Sequence, residues 1–373
     1  MTAPRLEVDL DKVEHNARAL VSRLAVRGIA VTAVTKATLG SPQVARRLLR
    51  AGVAGLGDSR IENIEAMRRA GIVAPITLIR SPMPSQVQRV VEHADVSLNT
   101  EIEAIAALDA AARALARVHR VVLMVELGDL REGILPGDLE AVVDQVRRLP
   151  NVSLVGIGTN LACQSGVVPG VANMAELSAL AGSIEARFGM TLQTISGGNS
   201  GNLGWALSGA EIGRVNDLRL GESILLGREP LGRRPIEGLH TDAITLVAEV
   251  IESKVKPSQP WGEVGQTAFG EHARAEDRGV MARAILALGE QDTDPSGLEP
   301  PGGFEVLGAS SDHLVIDTGS DRLAVGAEVT FRPNYSALVR AMTSPFVTRV
   351  MIDRGGLSPV GSAGSGSTTR PSP

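Results

Sequence analysis

Before residue 225, eight short runs of apolar and β-branched residues alternate with segments whose apolar residues recur at helical spacing. The runs lie near 31–36, 54–58, 76–80, 95–99, 120–126, 153–159, 192–196 and 217–220, and helical stretches include 11–25, 41–51, 61–70, 101–116, 136–148 and 173–188. Ser41 before Pro42 is a plausible helix start, with a capping hydroxyl and a ring suited to the first helical position. Eight such units predict a (β/α)8 TIM barrel, in which chemistry is placed where the strands end, at the carboxyl face.

After about residue 235 the rhythm changes. Segments 244–251, 281–288, 305–307, 313–317 and 328–331 read as strands separated by Gly-, Pro- and Asp-rich turns, so a C-terminal all-β domain is expected. From Gly355 onward Gly, Ser, Thr and Pro dominate and little is available to bury. The expected division is a barrel over 1–235, a β domain over 236–352 and a disordered tail over 353–373. A chain of 373 residues suits two domains at about 150 residues each.

A formal charge of -5, with 43% apolar and 21% charged residues, describes an ordinary globular protein. No Lys/Arg run of five or more occurs, so nucleic acid is not an expected partner. The longest apolar stretches, such as Val121 to Val125, fall far short of the roughly 20 residues of a membrane span, and no basic-then-apolar signal opens the chain. A cytoplasmic location with no membrane partner is the expectation. The single cysteine, Cys163, forbids an internal disulfide and cannot alone build a cysteine metal site; no metal is expected, and the residue reads as small and buried.

The chain has only four lysines, Lys12, Lys36, Lys254 and Lys256, and Lys36 alone ends an apolar run, Ile29 to Thr35. A lysine there is either a partly desolvated amine suited to Schiff-base chemistry or a structural cation paired with a carboxylate. Schiff-base chemistry with pyridoxal phosphate also needs a dianion site of main-chain N–H groups and small hydroxyls. Ser196-Gly197-Gly198-Asn199-Ser200-Gly201-Asn202, after the seventh run, supplies such groups, and Arg219-Leu220-Gly221-Glu222 adds a glycine and a fixed cation after the eighth. The other strand ends also carry polar residues: Asp58 to Asn63, Arg80, Asn99, Glu126 to Arg131 and Asn160.

Several segments together resemble the alanine racemase-like enzymes, which are fold-type III pyridoxal-phosphate proteins. They are Leu6 to Leu10 with His15-Asn16, Val34-Thr35-Lys36-Ala37, Leu127 to Gly133, Gly156 to Asn160, Asn199-Ser200 and Arg219-Leu220-Gly221. More narrowly, Gly57 to Asn63, Ser196 to Asn202, Gly221 to Glu229, Gly289 to Asp294 and Gly308 to Asp317 are similar to the ornithine racemase branch. The resemblance covers about residues 5 to 350. It implies that Lys36 holds the pyridoxal 5'-phosphate aldehyde and, once freed, moves the α-proton on one face. Asn199 and Ser200 match the phosphate-binding pair, and Gly221 with the backbone of Glu222 the second phosphate wall. Arg219 matches the arginine at the pyridine nitrogen; a cation there opposes protonation of the ring and favours return of the proton over loss of carbon dioxide. Arg131 matches the arginine near the phenolic oxygen, and Asn160 stands where many members have a histidine stacked on the ring.

The resemblance further implies an amino-acid racemase, with ornithine or a similar basic amino acid as substrate and a head-to-tail homodimer. Alanine racemases take their second acid/base from a tyrosine of the partner's C-terminal domain, but the only tyrosine, Tyr335, does not match that motif and Gly262 to Gly270 contains no phenol. Asp312 and His313 match the β-domain stretch that enters the neighbouring site and are the candidates for the second group. Glu290 and Asp292 are candidates for the carboxylate that a distal ammonium requires. A non-catalytic cofactor carrier and a decarboxylase of the same architecture remain alternatives; the β domain speaks against the first, and the lack of Cys and Glu in Gly308 to Asp312 against the second.

Overall fold

The computed structural model describes residues 2–270 and 277–354. Strand β1 (Arg5–Asp9) leads into α1 (Leu10–Ala25), and Asp9 caps that helix by accepting from the N–H groups of Asp11 and Lys12. Leu10, Val13, Ala17, Leu20 and Leu24, spaced three or four apart, form its buried stripe. The alternation then runs β2 (Ala30–Val34), α2 (Pro42–Arg50), β3 (Gly55–Asp58), α3 (Ile61–Arg69), β4 (Ile76–Leu78), α4 (Val87–His93), β5 (Val96–Asn99) and α5 (Ile102–Ala114). It continues through β6 (His119–Val125), α6 (Leu139–Val146), β7 (Val152–Thr159), α7 (Val171–Phe188), β8 (Thr194–Ser196), α8 (Leu203–Leu207), β9 (Asp217–Leu220) and α9 (Glu222–Leu226).

Strands β2 to β9 pair in order and β9 returns to β2, for example through Thr32 and Arg219, so the sheet closes into the expected eight-stranded parallel barrel. Gly156 allows β7 and β8 to approach closely, since a Cβ there would lie 2.1 Å from the Thr194 carbonyl oxygen. Leu98, Val122, Met124 and Val155 form a separate apolar cluster. Leu98 and Met124 also line the cavity at the barrel mouth, so part of this cluster is its apolar floor.

The second sheet contains β10 (Ile244–Pro257), β11 (Val280–Leu286), β12 (Leu298–Glu299), β13 (Glu305–Ala309), β14 (Leu314–Asp317) and β15 (Glu328–Pro333), in the order β12-β15-β10-β11-β14-β13. α10 (Tyr335–Thr343) and β16 (Thr348–Ile352) follow. The antiparallel domain is thus present, but it is not purely strand: Asn334 accepts from Ala337 N at 2.9 Å and starts α10, which packs against the barrel. The sheet also takes in β1, which runs antiparallel to β10 and parallel to β16 and buries Leu6 and Val8 completely. A division of the sequence at 235 assigns these residues to the barrel, whereas their ladder bonds go to the β sheet.

Of the tail expected over 353–373, Asp353 and Arg354 are described and both meet the barrel's first helices. Asp353 receives Arg47, and Arg354 N donates to Asp11 at 3.0 Å; the remainder of that expectation lies outside the described residues. Among the described residues, no helix is long and apolar enough to cross a membrane.

Candidate active site

Lys36 owes its place to the end of β2. Thr35, fully buried, donates its N–H to the Gly57 carbonyl at 2.8 Å and its hydroxyl to Asp58 Oδ2 at 2.7 Å. Asp58 is buried too, and its other oxygen accepts from Arg60 N and Asn63 Nδ2, both at 3.0 Å. Burial raises the pKa of this carboxyl group, and the hydrogen bonds oppose that rise. The chain next makes the 3-10 turn Lys36–Thr38 and leaves through Leu39 and Gly40, both at positive φ. A Cβ on Gly40 would lie 2.7 Å from Asn63 Cβ, so only glycine lets the turn pass this close to α3.

The Lys36 amine opens into a cavity of about 510 Å³ at the carboxyl ends of the strands. Its side chain is accessible from within that cavity, while the protein packed around the mouth lowers its pKa by desolvation; the charges of Arg131 and Arg219 act in the same direction. This is the property expected of an amine that must be partly neutral to act as a nucleophile or base.

One corner of the cavity gathers the expected anion-binding groups. Asn199 Oδ1 accepts from Gly201 N at 2.7 Å, and Asn199 Nδ2 donates to the Leu161 carbonyl at 2.7 Å and to Asn160 Oδ1 at 3.1 Å. The Ser200 and Ser223 hydroxyls, both buried, are 3.0 Å apart, and Gly221 N and Ser223 N point to Ser200 Oγ at 3.4 and 3.2 Å. Gly221 packs on β2, where a Cβ would stand 3.1 Å from Val34 Cβ. Arg219, almost wholly buried on β9, donates to the Thr159 carbonyl at 2.7 Å and to the Ser196 hydroxyl, which in turn donates a hydrogen bond to Asp217 Oδ2. Asn160 receives Arg219 at 3.4 Å, and its Nδ2 is a buried donor with no partner among the described residues.

The opposite wall depends on one staple. Asp129, completely buried after β6, accepts from Cys163 N, Gln164 N, Ser165 N and Val167 N at 2.8 to 3.3 Å. Burial opposes its ionisation, but these four N–H groups outweigh it and hold the carboxyl below its ordinary pKa. The staple locks the loops after β6 and β7 together and thereby aims Arg131 and Cys163 into the cavity. Arg131 is paired with Glu132 through two N–H groups. Cys163 corrects the sequence expectation: it is exposed rather than buried, because it lies on a loop at an open cavity.

Lys36, Arg131, Asn160, Asn199, Ser200, Arg219, Gly221 and Glu222 all line this one cavity, joined by Ser59 and Arg80 from two other strand ends. Glu290, Asp292, Asp312 and His313 do not line it. Asp292 is buried and accepts from Gly289 N at 3.0 Å and the Ser344 hydroxyl at 3.3 Å, and Glu290 faces Arg340 at 3.7 Å. Asp312 and His313 are exposed at the start of β14, where Asp312 accepts from Gln291 at 3.0 Å.

Tyr335 is the residue that motif matching misses. From the first turn of α10 it closes the cavity, its ring centroid 6.0 Å from Lys36 Nζ, and burial with the nearby Glu222 charge pushes its phenol well above the ordinary range. The signal available in sequence is its rarity, as the only tyrosine in the chain.

A family model, the alanine racemase N-terminal domain, matches residues 8–229, which carry all the strand ends that line this cavity, though not Pro230 or Tyr335. The chain belongs to the alanine racemase family. Within the family, a lysine racemase of Thermotoga maritima is 41% identical over 353 residues, covering 94% of this chain and 99% of the relative. An ornithine racemase of Acetoanaerobium sticklandii is 36% identical over the same shares. A solved alanine racemase from D-cycloserine-producing Streptomyces lavendulae superposes with a TM-score of 0.72 at 23% identity, covering 95% of this chain and 98% of that one, and shares the fold. The barrel and antiparallel domain expected from sequence are therefore the family's architecture.

Proposed function

We propose that the protein is a pyridoxal-phosphate-dependent racemase of a basic amino acid, ornithine or lysine. The observation that carries this reading is the convergence, in one cavity, of the Lys36 amine, the Ser200/Gly221 anion corner and the Arg219 guanidinium. The donor set suits the cofactor. Hydroxyls and main-chain N–H groups meet a dianion, the orphaned Asn160 Nδ2 is a donor in need of an acceptor, and Arg219 is the partner for a ring nitrogen that stays unprotonated.

When bound, pyridoxal phosphate would supply electron withdrawal from the substrate Cα. Lys36 would hold it, and its lowered pKa suits removal and return of the Cα proton on one face. Arg131, facing the same space, would hold an anionic oxygen, while Leu98, Met124 and Tyr335 give the cavity apolar walls. Arg219 in place of a carboxylate favours reprotonation over loss of carbon dioxide, so racemisation is preferred to decarboxylation.

For the second face we infer a group from the β domain of a partner subunit, with Asp312 and His313 as candidates, and hence a head-to-tail homodimer. Both residues are exposed and outside the cavity of their own chain, and the connection after β10 exposes Trp261, Val264 and Phe269. A cytoplasmic setting suits the free, accessible Cys163 thiol. The test is chiral chromatography after incubating the holoenzyme with L-ornithine, L-lysine and L-alanine. Appearance of D-ornithine or D-lysine is expected; release of carbon dioxide, or no turnover by protein that holds cofactor, would contradict the reading.

A further inference from the structure

A basic substrate brings a second ammonium into the cavity, and a charge withdrawn from water without a counter-charge is strongly unfavourable. Some carboxylate must therefore meet it. Among the described residues, the acidic side chains that line the cavity are Glu132 and Glu222. Glu132 is already committed, with both oxygens on the guanidinium of Arg131. Nearby acids are also satisfied from within the fold: Asp58 by Thr35, Arg60 and Asn63, Asp129 by its four N–H groups, and Glu229 by Leu231, Gly232 and Arg234.

Glu222 differs from all of these. Its backbone belongs to the wall beside Gly221, but that role makes no demand on its side chain. The side chain is 14% exposed and is met by Arg233, whose own side chain is 55% exposed on a surface loop. Burial raises the pKa of Glu222, with the Arg233 and Lys36 charges pulling it back. The carboxylate therefore sits in a site where a cation is worth more than at the surface. Its field also reaches the Tyr335 phenol, so Lys36, Glu222 and Tyr335 share one end of the cavity, and Pro230 adds an apolar wall.

We propose that Glu222 is a specificity-determining residue that receives the distal ammonium of the substrate in exchange for Arg233, with Tyr335 and Pro230 flanking the methylene chain. The exchange keeps the carboxylate paired throughout, and the displaced arginine, already 55% exposed, returns to water. The Tyr335 ring adds a face that attracts a cation. This inference rests on the racemase reading above and names the group by which that site would select a basic amino acid.

The experiment is calorimetric titration of the holoenzyme with L-ornithine and with L-norvaline, which has the same carbon chain and lacks the distal ammonium. Wild type is expected to prefer ornithine by at least about tenfold, and Glu222→Gln to lower that preference by roughly 10- to 100-fold while norvaline affinity stays within about twofold, the range set by one charge-assisted hydrogen bond. Arg233→Met, which leaves Glu222 in place and removes its competitor, is expected to tighten ornithine binding and leave norvaline unchanged. A preference retained by Glu222→Gln, a preference lost instead in Glu290→Gln, or an ornithine affinity unaltered by Arg233→Met would each overturn the assignment. Racemisation of ornithine by wild type alongside such a result would leave the racemase reading standing and sink only the role of Glu222; absence of any racemisation by wild type would sink the reading itself.

Discussion

Replacing Asn16 by leucine tests how the barrel's first helix is tied to the wall of the cavity. Asn16 is fully buried in α1, and its side chain makes three hydrogen bonds inside the protein. Nδ2 donates to the carbonyls of Ile224 and His240, each at 2.9 Å, and Oδ1 accepts from His240 N at 2.7 Å. One amide thus joins α1, α9 and the segment that leads into β10. Leucine is similar in size and can make none of these bonds. Neutral hydrogen bonds contribute about 0.5–1.5 kcal/mol each, and a buried group left without its partner costs about 1–3 kcal/mol. Three orphaned partners therefore predict a destabilisation of at least about 3 kcal/mol, measurable as a lower urea midpoint with an unchanged slope. Because Ile224 lies just beyond Gly221 and Glu222, Asn16→Leu should also weaken cofactor affinity more than Leu177→Ala, a core truncation in α7 costing about 2–5 kcal/mol. A loss below about 1 kcal/mol, or equal cofactor affinity in the two variants, would show that Asn16 does not tie α1 to the cavity wall.

Two further outcomes concern protonation. His119, buried at the start of β6 with the Ser97 hydroxyl 2.9 Å from Nε2, has its pKa pushed down from 6.5 to about 4 by burial. Between these values the unfolded chain binds a proton that the folded chain refuses, so stability is complete above 6.5 and falls by about 3 kcal/mol as pH drops to about 4. Urea midpoints measured across that window should fall less steeply for His119→Gln; identical slopes would contradict the account. Arg131→Gln removes a cation that lowers the pKa of Lys36 and frees the Glu132 carboxylate, so the midpoint for reaction of the Lys36 amine with trinitrobenzenesulfonate should move to higher pH. An unchanged or lower midpoint would show that Arg131 does not act on Lys36.

The barrel is legible in the sequence because each of its strands is a short, nearly continuous apolar run and the surrounding helices carry a 3.6-residue stripe, both local patterns. The strand Arg5–Asp9 is harder to see. Its alternation of Arg5, Glu7 and Asp9 with Leu6 and Val8 is a strand pattern, but the partners Ile244–Val247 and Thr348–Ile352 lie more than two hundred residues away. The short helices α4, α8 and α9 span seven residues or fewer, too little for a periodic signal. Within the site, Lys36, Arg219 and the Ser196 to Asn202 loop announce themselves through residue type at a strand end. The side chain of Glu222 and the ring of Tyr335 do not, because their value depends on where the β domain and a surface loop come to rest on the barrel. Asp129 reads as one more polar loop residue until its four N–H partners are seen.

The proposed function singles out Lys36, among four lysines, as the amine that would hold the cofactor. Its most direct test is reduction of the holoenzyme with borohydride, followed by digestion and mass mapping of the pyridoxyl group. A single modified site at Lys36, absent from Lys36→Ala, is the result expected. Modification of Lys12, Lys254 or Lys256 instead, or trapping that persists in Lys36→Ala, would contradict it.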